Sequence, residues 1–175
     1  LNKQAGVICS NKDAEGRKSV FDFLPKNSRW VMVGRLDLNT SGLLLFTNNG
    51  DLANKLMHPS SEVDREYAVR VLGKVEDQHI NQLTSGIELD DGFAKFHKVT
   101  FAGGDGANRW YHVVVREGRK REVRRLWEAL EFKVSRLIRI RFGDIRLPDN
   151  LRANESEYLK PKQVQSLLNS VKLKA

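Results

Sequence analysis

The spacing of apolar residues changes along the chain, and each spacing predicts a different kind of element. Residues 67–71 alternate, with Tyr67, Val69 and Val71 on one face, which is typical of a half-buried strand. Other short apolar runs that lie between turn residues also predict strands. The predicted strands are 5–9, 30–34, 43–47, 67–71, 87–89, 94–101, 110–116 and 136–142.

Helices are predicted where apolar residues recur at three- and four-residue intervals, or where capping residues frame a segment. Asp51 is the predicted N-cap of the first helix, and Gly86 ends the second. The segment Gly103 to Gly106 is expected to form a mobile turn. Because strands outnumber helices and follow one another in hairpin-like pairs, the predicted class is α+β with a largely antiparallel sheet. The predicted helices are 51–57, 76–85, 121–131 and 161–171, with a short helical turn at 18–24.

Length and composition indicate a globular chain in a reducing compartment. With 175 residues, 40% hydrophobic and 30% charged, the chain fits one domain or one domain with two lobes. The single cysteine, Cys9, excludes an internal disulfide and favours a cytoplasmic location. No signal peptide is visible, and no apolar run approaches the roughly 20 residues that span a bilayer. Since the chain starts at Leu1 within a predicted strand, we expect an N-terminal part to be missing.

The charge of the chain is concentrated in one region. The formal net charge is +8 and the pI about 9.7, yet residues 116–146 alone carry eleven cations against five carboxylates, a net +6. A localised basic region predicts a polyanionic partner, although a solvated helix face is the simpler alternative. Arginine outnumbers lysine there nine to two, which favours phosphate contacts and base stacking. Nucleic acid is therefore the predicted partner, with RNA and DNA not distinguished.

Several classes of chemistry find no support in the sequence. The four histidines stand far apart and lack metal-ligand spacing, so that a metal site is not expected. The serine elbow of hydrolases and the glycine-rich loops of nucleotide-binding proteins are absent.

Asp37 is the residue that most needs an explanation. It lies in GRLDLNTSGLLLFT between two apolar segments, where a carboxylate must be hydrogen-bonded, paired with a cation or used in chemistry. Taken alone, Asp37 is best explained as closing an Asx-turn, and Tyr67 as a packing residue of its strand. Likewise Arg124 fits a solvated basic face, and Arg35 a phosphate contact.

The order of several motifs distinguishes between these explanations. GRLDLNTSGLLL resembles the central motif of the RNA pseudouridine synthases of the RsuA type. NKQAGV is similar to the opening motif of that family, with Gln4 where the family usually has proline. The strand that begins Arg65-Glu66-Tyr67, the segment EGRKREVRRLWEAL and the strand VSRLIRIRFGDI are similar to the motifs that follow. The resemblance runs in family order from residue 3 to about 148.

The resemblance implies a fold and a reaction. The implied fold is the pseudouridine synthase fold, a largely antiparallel mixed sheet flanked by helices and loops, with a catalytic cleft across the sheet. Residues 1–160 would form the catalytic domain and 161–175 a C-terminal helix or tail, and an S4-like RNA-binding domain is expected upstream but absent from this chain. The implied reaction is isomerisation of uridine to pseudouridine in ribosomal RNA, expected in the large subunit and without a cofactor. From the sequence itself we expect a monomer, because no clean exposed apolar stripe is left over, and neither a metal nor a membrane as partner. The alternatives are the same reaction on small-subunit RNA and a non-catalytic RNA-binding or assembly module.

The resemblance also implies residue roles. Asp37 would be the catalytic carboxylate, attacking the sugar, attacking the base or removing a sugar proton, and Arg124 would pair with it. Tyr67 would stack on the flipped uracil, and Arg35 would fill the gap that the base leaves in the RNA. Leu137 or Ile138 would form the apolar floor of the pocket. The further predicted RNA contacts are Lys3, Arg119, Arg121, Arg125 and Arg139.

Overall fold

The computed structural model of the chain describes residues 1–10 and 15–172. Residues 173–175 of the predicted C-terminal tail lie outside the described residues. The strands in the described ranges are β1 (Asn2–Lys3), β2 (Val31–Val33), β3 (Ser41–Leu43), β4 (Leu45–Thr47), β5 (Arg65–Leu72), β6 (Ile87–Leu89), β7 (Gly92–Ala94), β8 (Lys98–Asp105), β9 (Asn108–Val115), β10 (Lys133–Phe142) and β11 (Ile145–Arg146). The α-helices are α1 (Gly50–Met57), α2 (Asp77–Ser85), α3 (Glu122–Ala129) and α4 (Pro161–Ser170), and Val20–Phe23 and Pro59–Ser61 form 3-10 turns.

A seven-stranded sheet organises the fold. Its strand order is β1-β3-β10-β5-β9-β8, and β11 pairs with β10 beside this path. All of its pairs are antiparallel except β10 with β3, which run parallel. The prediction of an α+β fold with a largely antiparallel mixed sheet is therefore confirmed.

Helix α3 packs its apolar stripe into the main core. Val123, Leu126 and Trp127 are buried there, and the Trp127 ring lies 5.4 Å from Tyr111 of β9 between ring centroids. A second core cluster joins α1 and α4, through Leu56 and Leu167 among others, to the end of β10. No helix in the described part of the chain is long and apolar enough to cross a membrane.

The apolar run 43–47 forms two strands instead of the single predicted one. Strand β3 pairs with β1 and β10 in the main sheet, whereas β4 pairs with β2 in a separate two-stranded sheet. Leu44 lies between them and is fully buried, so the chain crosses the core at this residue while it leaves one sheet for the other. An uninterrupted apolar run contains no signal for such a crossing.

Other predicted boundaries are wrong for local reasons. The chain forms strand β1 at Asn2–Lys3 and not the strand predicted at 5–9. Gly6, with φ +93°, lies in a turn that follows β1 and prevents the strand from continuing. Asn49 caps α1 in place of Asp51, since the Asn49 side chain accepts a hydrogen bond from Leu52 N at 3.1 Å. Most of the predicted mobile turn, including Gly103, belongs to β8.

The remaining difference concerns the strand predicted at 94–101. Strand β7 ends at Ala94, and β8 begins only at Lys98. Between them Phe96 is fully buried and donates its backbone N–H to Leu83 O of α2 at 2.9 Å. This contact with a helix takes the chain out of the sheet between β7 and β8.

Candidate active site

A cleft of about 720 Å³ opens between the turn after β2, strands β5 and β10, and the loop before α3. Its walls come from segments that lie far apart in sequence. The cleft brings together seven of the ten predicted site residues, namely Arg35, Asp37, Tyr67, Arg119, Arg121, Leu137 and Arg139. Lys3, Arg124 and Arg125 do not line it.

Asp37 lies on a tight turn that reverses the chain between β2 and β3. Gly34, with φ +78°, turns the backbone out of β2, and Thr40 N donates to Asp37 O at 3.0 Å. The Asp37 side chain remains 27% exposed, at the wall of the cleft. Its carboxylate is thus held by the turn and remains accessible from the cleft.

Lys3 holds this turn from inside the protein. Its side chain is fully buried, and Nζ lies within hydrogen-bond distance of four carbonyl oxygens: Gln4 at 3.2 Å, Asp37 at 3.1 Å, Leu38 at 3.2 Å and Thr40 at 2.8 Å. Burial lowers the pKa of Lys3, against smaller opposing effects of Cys9 and Asp37. The prediction that Lys3 contacts RNA is wrong, because its ammonium group has no exposed surface and is already surrounded by acceptors.

The cation paired with Asp37 is Arg121 and not the predicted Arg124. Arg121 Nη1 lies 3.8 Å from Asp37 Oδ2, a loose pair with both side chains partly exposed. Arg124 is buried and donates from Nη2 to Asn39 O at 3.1 Å, so that it contacts the backbone of the Asp37 turn. Burial lowers the pKa of Arg124, with Arg121 acting in the same direction and Asp37 opposing. Arg124 is therefore near the carboxylate but is bonded to the turn that carries it.

The first residues of α3 contain a buried carboxyl group that the sequence did not identify. Glu122 is 4% exposed, and neither of its oxygens accepts a hydrogen bond from an N–H or O–H donor within the described ranges. Burial, together with the neighbouring carboxylate of Glu117, raises the pKa of Glu122 to about 8, with Arg119 and Arg125 opposing. The pKa of Glu117 is lowered by its proximity to Glu122 and by Arg119, which donates to it. The pKa values of the two carboxyl groups thus move in opposite directions, and Glu122 is the one that keeps its proton to higher pH.

Two of the predicted RNA contacts are engaged by acidic residues. Arg119 donates to Glu117 Oε1 from Nη2 at 2.8 Å and to the Phe93 carbonyl, and its Nη1 lies 3.4 Å from Asp91 Oδ1. Arg125 makes a bidentate contact with the Asp91 carboxylate at 2.8 and 3.0 Å. These contacts attach the loop before α3 to the turn between β6 and β7, and they neutralise part of the predicted basic face.

The floor of the cleft is formed by neighbouring strands. Tyr67 of β5 lies opposite Arg139 of β10 in the sheet, and Leu137 lies opposite Val69. Leu137 lines the cleft, whereas Ile138, whose side chain points to the other face of the strand, does not. Of the two residues predicted for the apolar floor, Leu137 is therefore the one in position. Arg35 is exposed on the turn.

Arg65 lines the cleft, although it was predicted only as part of a sequence motif and not as a site residue. It lies two residues before Tyr67 on β5, and both side chains therefore belong to the same face of the strand. The alternating pattern was the signal that could have identified it. Arg139 was predicted on an exposed basic face, but it is 2% exposed at the base of the cleft.

The described residues contain no group of three or more histidine, cysteine, aspartate or glutamate side chains that could hold a metal ion.

Comparison with known proteins places this chain in a family. The model of a family described as RNA pseudouridylate synthase matches residues 1–129. The chain is 61% identical over 151 residues to ribosomal large subunit pseudouridine synthase B of Yersinia pestis, covering 85% of this chain and 48% of that protein. It is 53% identical over 175 residues to the protein of the same name from Haemophilus influenzae, covering 99% of this chain and 49% of that protein. The chain belongs to the RNA pseudouridylate synthase family, and it spans about half the length of these curated relatives.

Solved structures agree with this family. The crystal structure of a pseudouridylate synthase superposes with a TM-score of 0.84 at 28% identity, covering 95% of this chain and 71% of that chain. The archaeal box H/ACA Nop10–Cbf5 complex, at 20% identity and a TM-score of 0.53 over 72% of this chain and 42% of that chain, shares the fold alone.

Proposed function

We propose that this chain isomerises a specific uridine of large-subunit ribosomal RNA to pseudouridine. In that reaction the N1–C1′ glycosidic bond breaks, the uracil rotates and C5 rejoins C1′, with no gain of atoms and no redox change. The reaction therefore requires no cofactor. The relatives with 53 to 61% identity carry the name ribosomal large subunit pseudouridine synthase B, which supports this choice of RNA.

One observation carries the proposal: Asp37, Tyr67 and Leu137 line a single cleft with a cation beside the carboxylate. Asp37 supplies the carboxylate for the reaction, and the Arg121 guanidinium lies 3.8 Å from it. Tyr67 offers a ring against which an uracil can stack, above the apolar side chain of Leu137. A module that only binds RNA would have no use for an accessible carboxylate in a basic cleft, because it would repel the phosphates.

The substrate uridine must leave its stack to enter the cleft. Extrusion costs a few kcal/mol, which stacking on Tyr67 and contacts with the strand offset. Arg35 is exposed on the rim, where its planar guanidinium can fill the vacated position in the RNA. Lys120 is exposed on the loop before α3 and can contact the phosphate backbone beside Arg121. The proposal further includes action as a monomer in the cytoplasm.

The test is pseudouridine mapping on unmodified ribosomal RNA of both subunits, by chemical adduct formation and primer extension. We expect one new stop in large-subunit RNA and none in small-subunit RNA. A stop in small-subunit RNA alone would mean that the chain catalyses the same reaction on small-subunit RNA. Saturable RNA binding without any stop would favour the non-catalytic module.

A further inference from the structure

Two buried arginines at the base of the cleft have no acidic partner. Arg65 is 5% and Arg139 is 2% exposed, and within the described ranges no carboxylate oxygen lies within 4 Å of either guanidinium group. An isolated buried cation is strongly disfavoured in a protein interior, so that buried charges are normally paired. The two cations, which lie close enough to repel each other, therefore need an explanation.

The contacts that these arginines do make use only a part of their donors. Arg65 donates from Nη1 to Val63 O at 3.1 Å, and Arg139 donates from Nε to Leu43 O at 2.8 Å. Both guanidinium groups also lie over the ring of Phe142, at 5.1 and 5.3 Å from its centroid. Each guanidinium has five N–H donors, and Nη2 of Arg139 is buried without a hydrogen-bond partner among residues 1–10 and 15–172. These contacts hold both arginines in place while some of their N–H donors remain unused.

The position of the pair relates it to the proposed substrate. Arg65, Arg139 and Phe142 line the same cleft as Asp37 and Tyr67. Arg139 lies directly opposite Tyr67 in the sheet, and Arg65 lies about 7 Å from Tyr67 along the strand. A nucleotide whose base stacks on Tyr67 therefore brings its backbone close to these two side chains.

We propose that Arg65 and Arg139 form a phosphate-binding subsite that takes one backbone phosphate of the extruded uridine. The planar guanidinium fork matches the oxygens of a phosphate, and the partly dry position strengthens each charge-assisted hydrogen bond. A phosphate there satisfies the unused donors and supplies the missing negative charge. The identity of this phosphate rests on the proposed function, whereas binding of an anion by the two arginines does not.

The first test uses inorganic phosphate as the probe. Phosphate-31 NMR titration of the chain at constant ionic strength measures its dissociation constant without any reaction. We expect saturable binding to the wild type, weakened about tenfold in Arg65→Gln and in Arg139→Gln, as for the loss of one charge-assisted hydrogen bond. The control Arg146→Gln, an exposed arginine of β11 outside this cleft, should bind like the wild type. Equal binding by all four proteins would overturn the proposal.

Two further variants keep the test decisive if a buried substitution prevents folding. Arg65→Lys and Arg139→Lys retain the charge but lose the planar fork, and urea denaturation reports whether each is folded. A folded lysine variant that binds phosphate more weakly than Arg146→Lys supports the subsite. A folded lysine variant that binds as tightly as that control contradicts it.

The second test uses RNA in which a single phosphate beside the mapped uridine is replaced by a neutral methylphosphonate. Wild-type affinity should fall about tenfold for one of the two flanking positions, and Arg139→Lys should show no such discrimination. The same loss of RNA affinity in both proteins would contradict the subsite, even if the chain isomerises uridine. If the chain binds phosphate through these arginines but modifies no uridine, the anion site is supported and the proposed reaction is contradicted.

Discussion

At the scale of single residues, the cations around Asp37 divide into two groups. Lys3 and Arg124 are buried and donate to backbone carbonyls of the turn, while Arg121 reaches the carboxylate itself from the solvent side. The sequence indicated all three as site residues, but it assigned the pairing with Asp37 to Arg124 and RNA contacts to Lys3 and Arg121. The direction of a long side chain depends on the surrounding packing, which the spacing of residues does not reveal.

This division predicts different results for two neighbouring arginines. Arg121→Ala should lower the isomerisation rate but change the free energy of unfolding by at most about 1 kcal/mol, because its ion pair is exposed. Arg124→Ala should lower the free energy of unfolding by about 1.5–3 kcal/mol, since a buried, charged hydrogen bond is lost. Urea denaturation and single-turnover kinetics of both variants provide the measurement. Equal stability losses would contradict the assigned contacts.

Lys3 gives a second prediction at this scale. Lys3→Met should destabilise the chain by about 3 kcal/mol, because buried carbonyls of the Asp37 turn lose their donor. Isomerisation should fall further than the unfolded fraction explains, as Asp37 loses its position. Lys55→Met, on the exposed side of α1, is the matched control and should leave both quantities unchanged. A stable, fully active Lys3→Met would show that the turn does not depend on this residue.

At the scale of elements, the loop before α3 is the part that positions the cleft wall. Arg121 adopts a left-handed conformation, φ 54°, at the point where the loop enters the helix. The contacts of Arg119 and Arg125 with Asp91 fix both sides of this point to the β6–β7 turn. The sequence predicted helix α3 but not this network, because a sequence does not indicate which of its distant charged residues will form ion pairs.

The raised pKa of Glu122 predicts how stability depends on pH. The pKa of Glu122 rises from 4.5 to about 8 on folding, so the native state binds more protons than the unfolded state between these values. The free energy of unfolding should therefore fall as pH rises from about 5 to about 8.5, by at most about 1.4 kcal/mol per pH unit. Arg119 and Arg125 face Glu122 and oppose this rise in its pKa. Because the pKa of Glu117 is lowered, its own contribution to the pH dependence of stability lies below this pH range.

Urea denaturation at pH 5.5, 7 and 8.5 measures this dependence. Glu122→Gln should remove most of the slope, because the glutamine cannot ionise. Glu128→Gln, on the exposed face of the same helix, should retain it. A slope that is identical in all three proteins would mean that Glu122 does not hold the proton.

At the scale of the whole molecule, the sequence predicted the sheet class and most of the cleft, but it overstated the basic face. Five arginines of the region 116–146 form ion pairs with carboxylates from elsewhere in the fold, namely Arg116, Arg119, Arg121, Arg125 and Arg141. The parallel contact of β3 with β10 was also not foreseen. There Gly42 approaches Arg139 so closely that an added Cβ would lie 2.2 Å from its carbonyl oxygen. That close approach, together with the positive φ of +111° at Gly42, is the reason for glycine in the TSGLLL segment.

The most direct test of the account is single-turnover isomerisation by Asp37→Asn, measured beside RNA affinity and the free energy of unfolding. Asp51→Asn, an exposed residue of α1, is the matched control. We expect Asp37→Asn to lose at least about 1,000-fold in rate, a loss of about 4 kcal/mol in transition-state stabilisation. It should bind RNA at least as tightly as the wild type, because one negative charge leaves the cleft. An Asp37→Asn chain that still forms pseudouridine at a near-normal rate would contradict the central claim that this carboxylate carries the reaction.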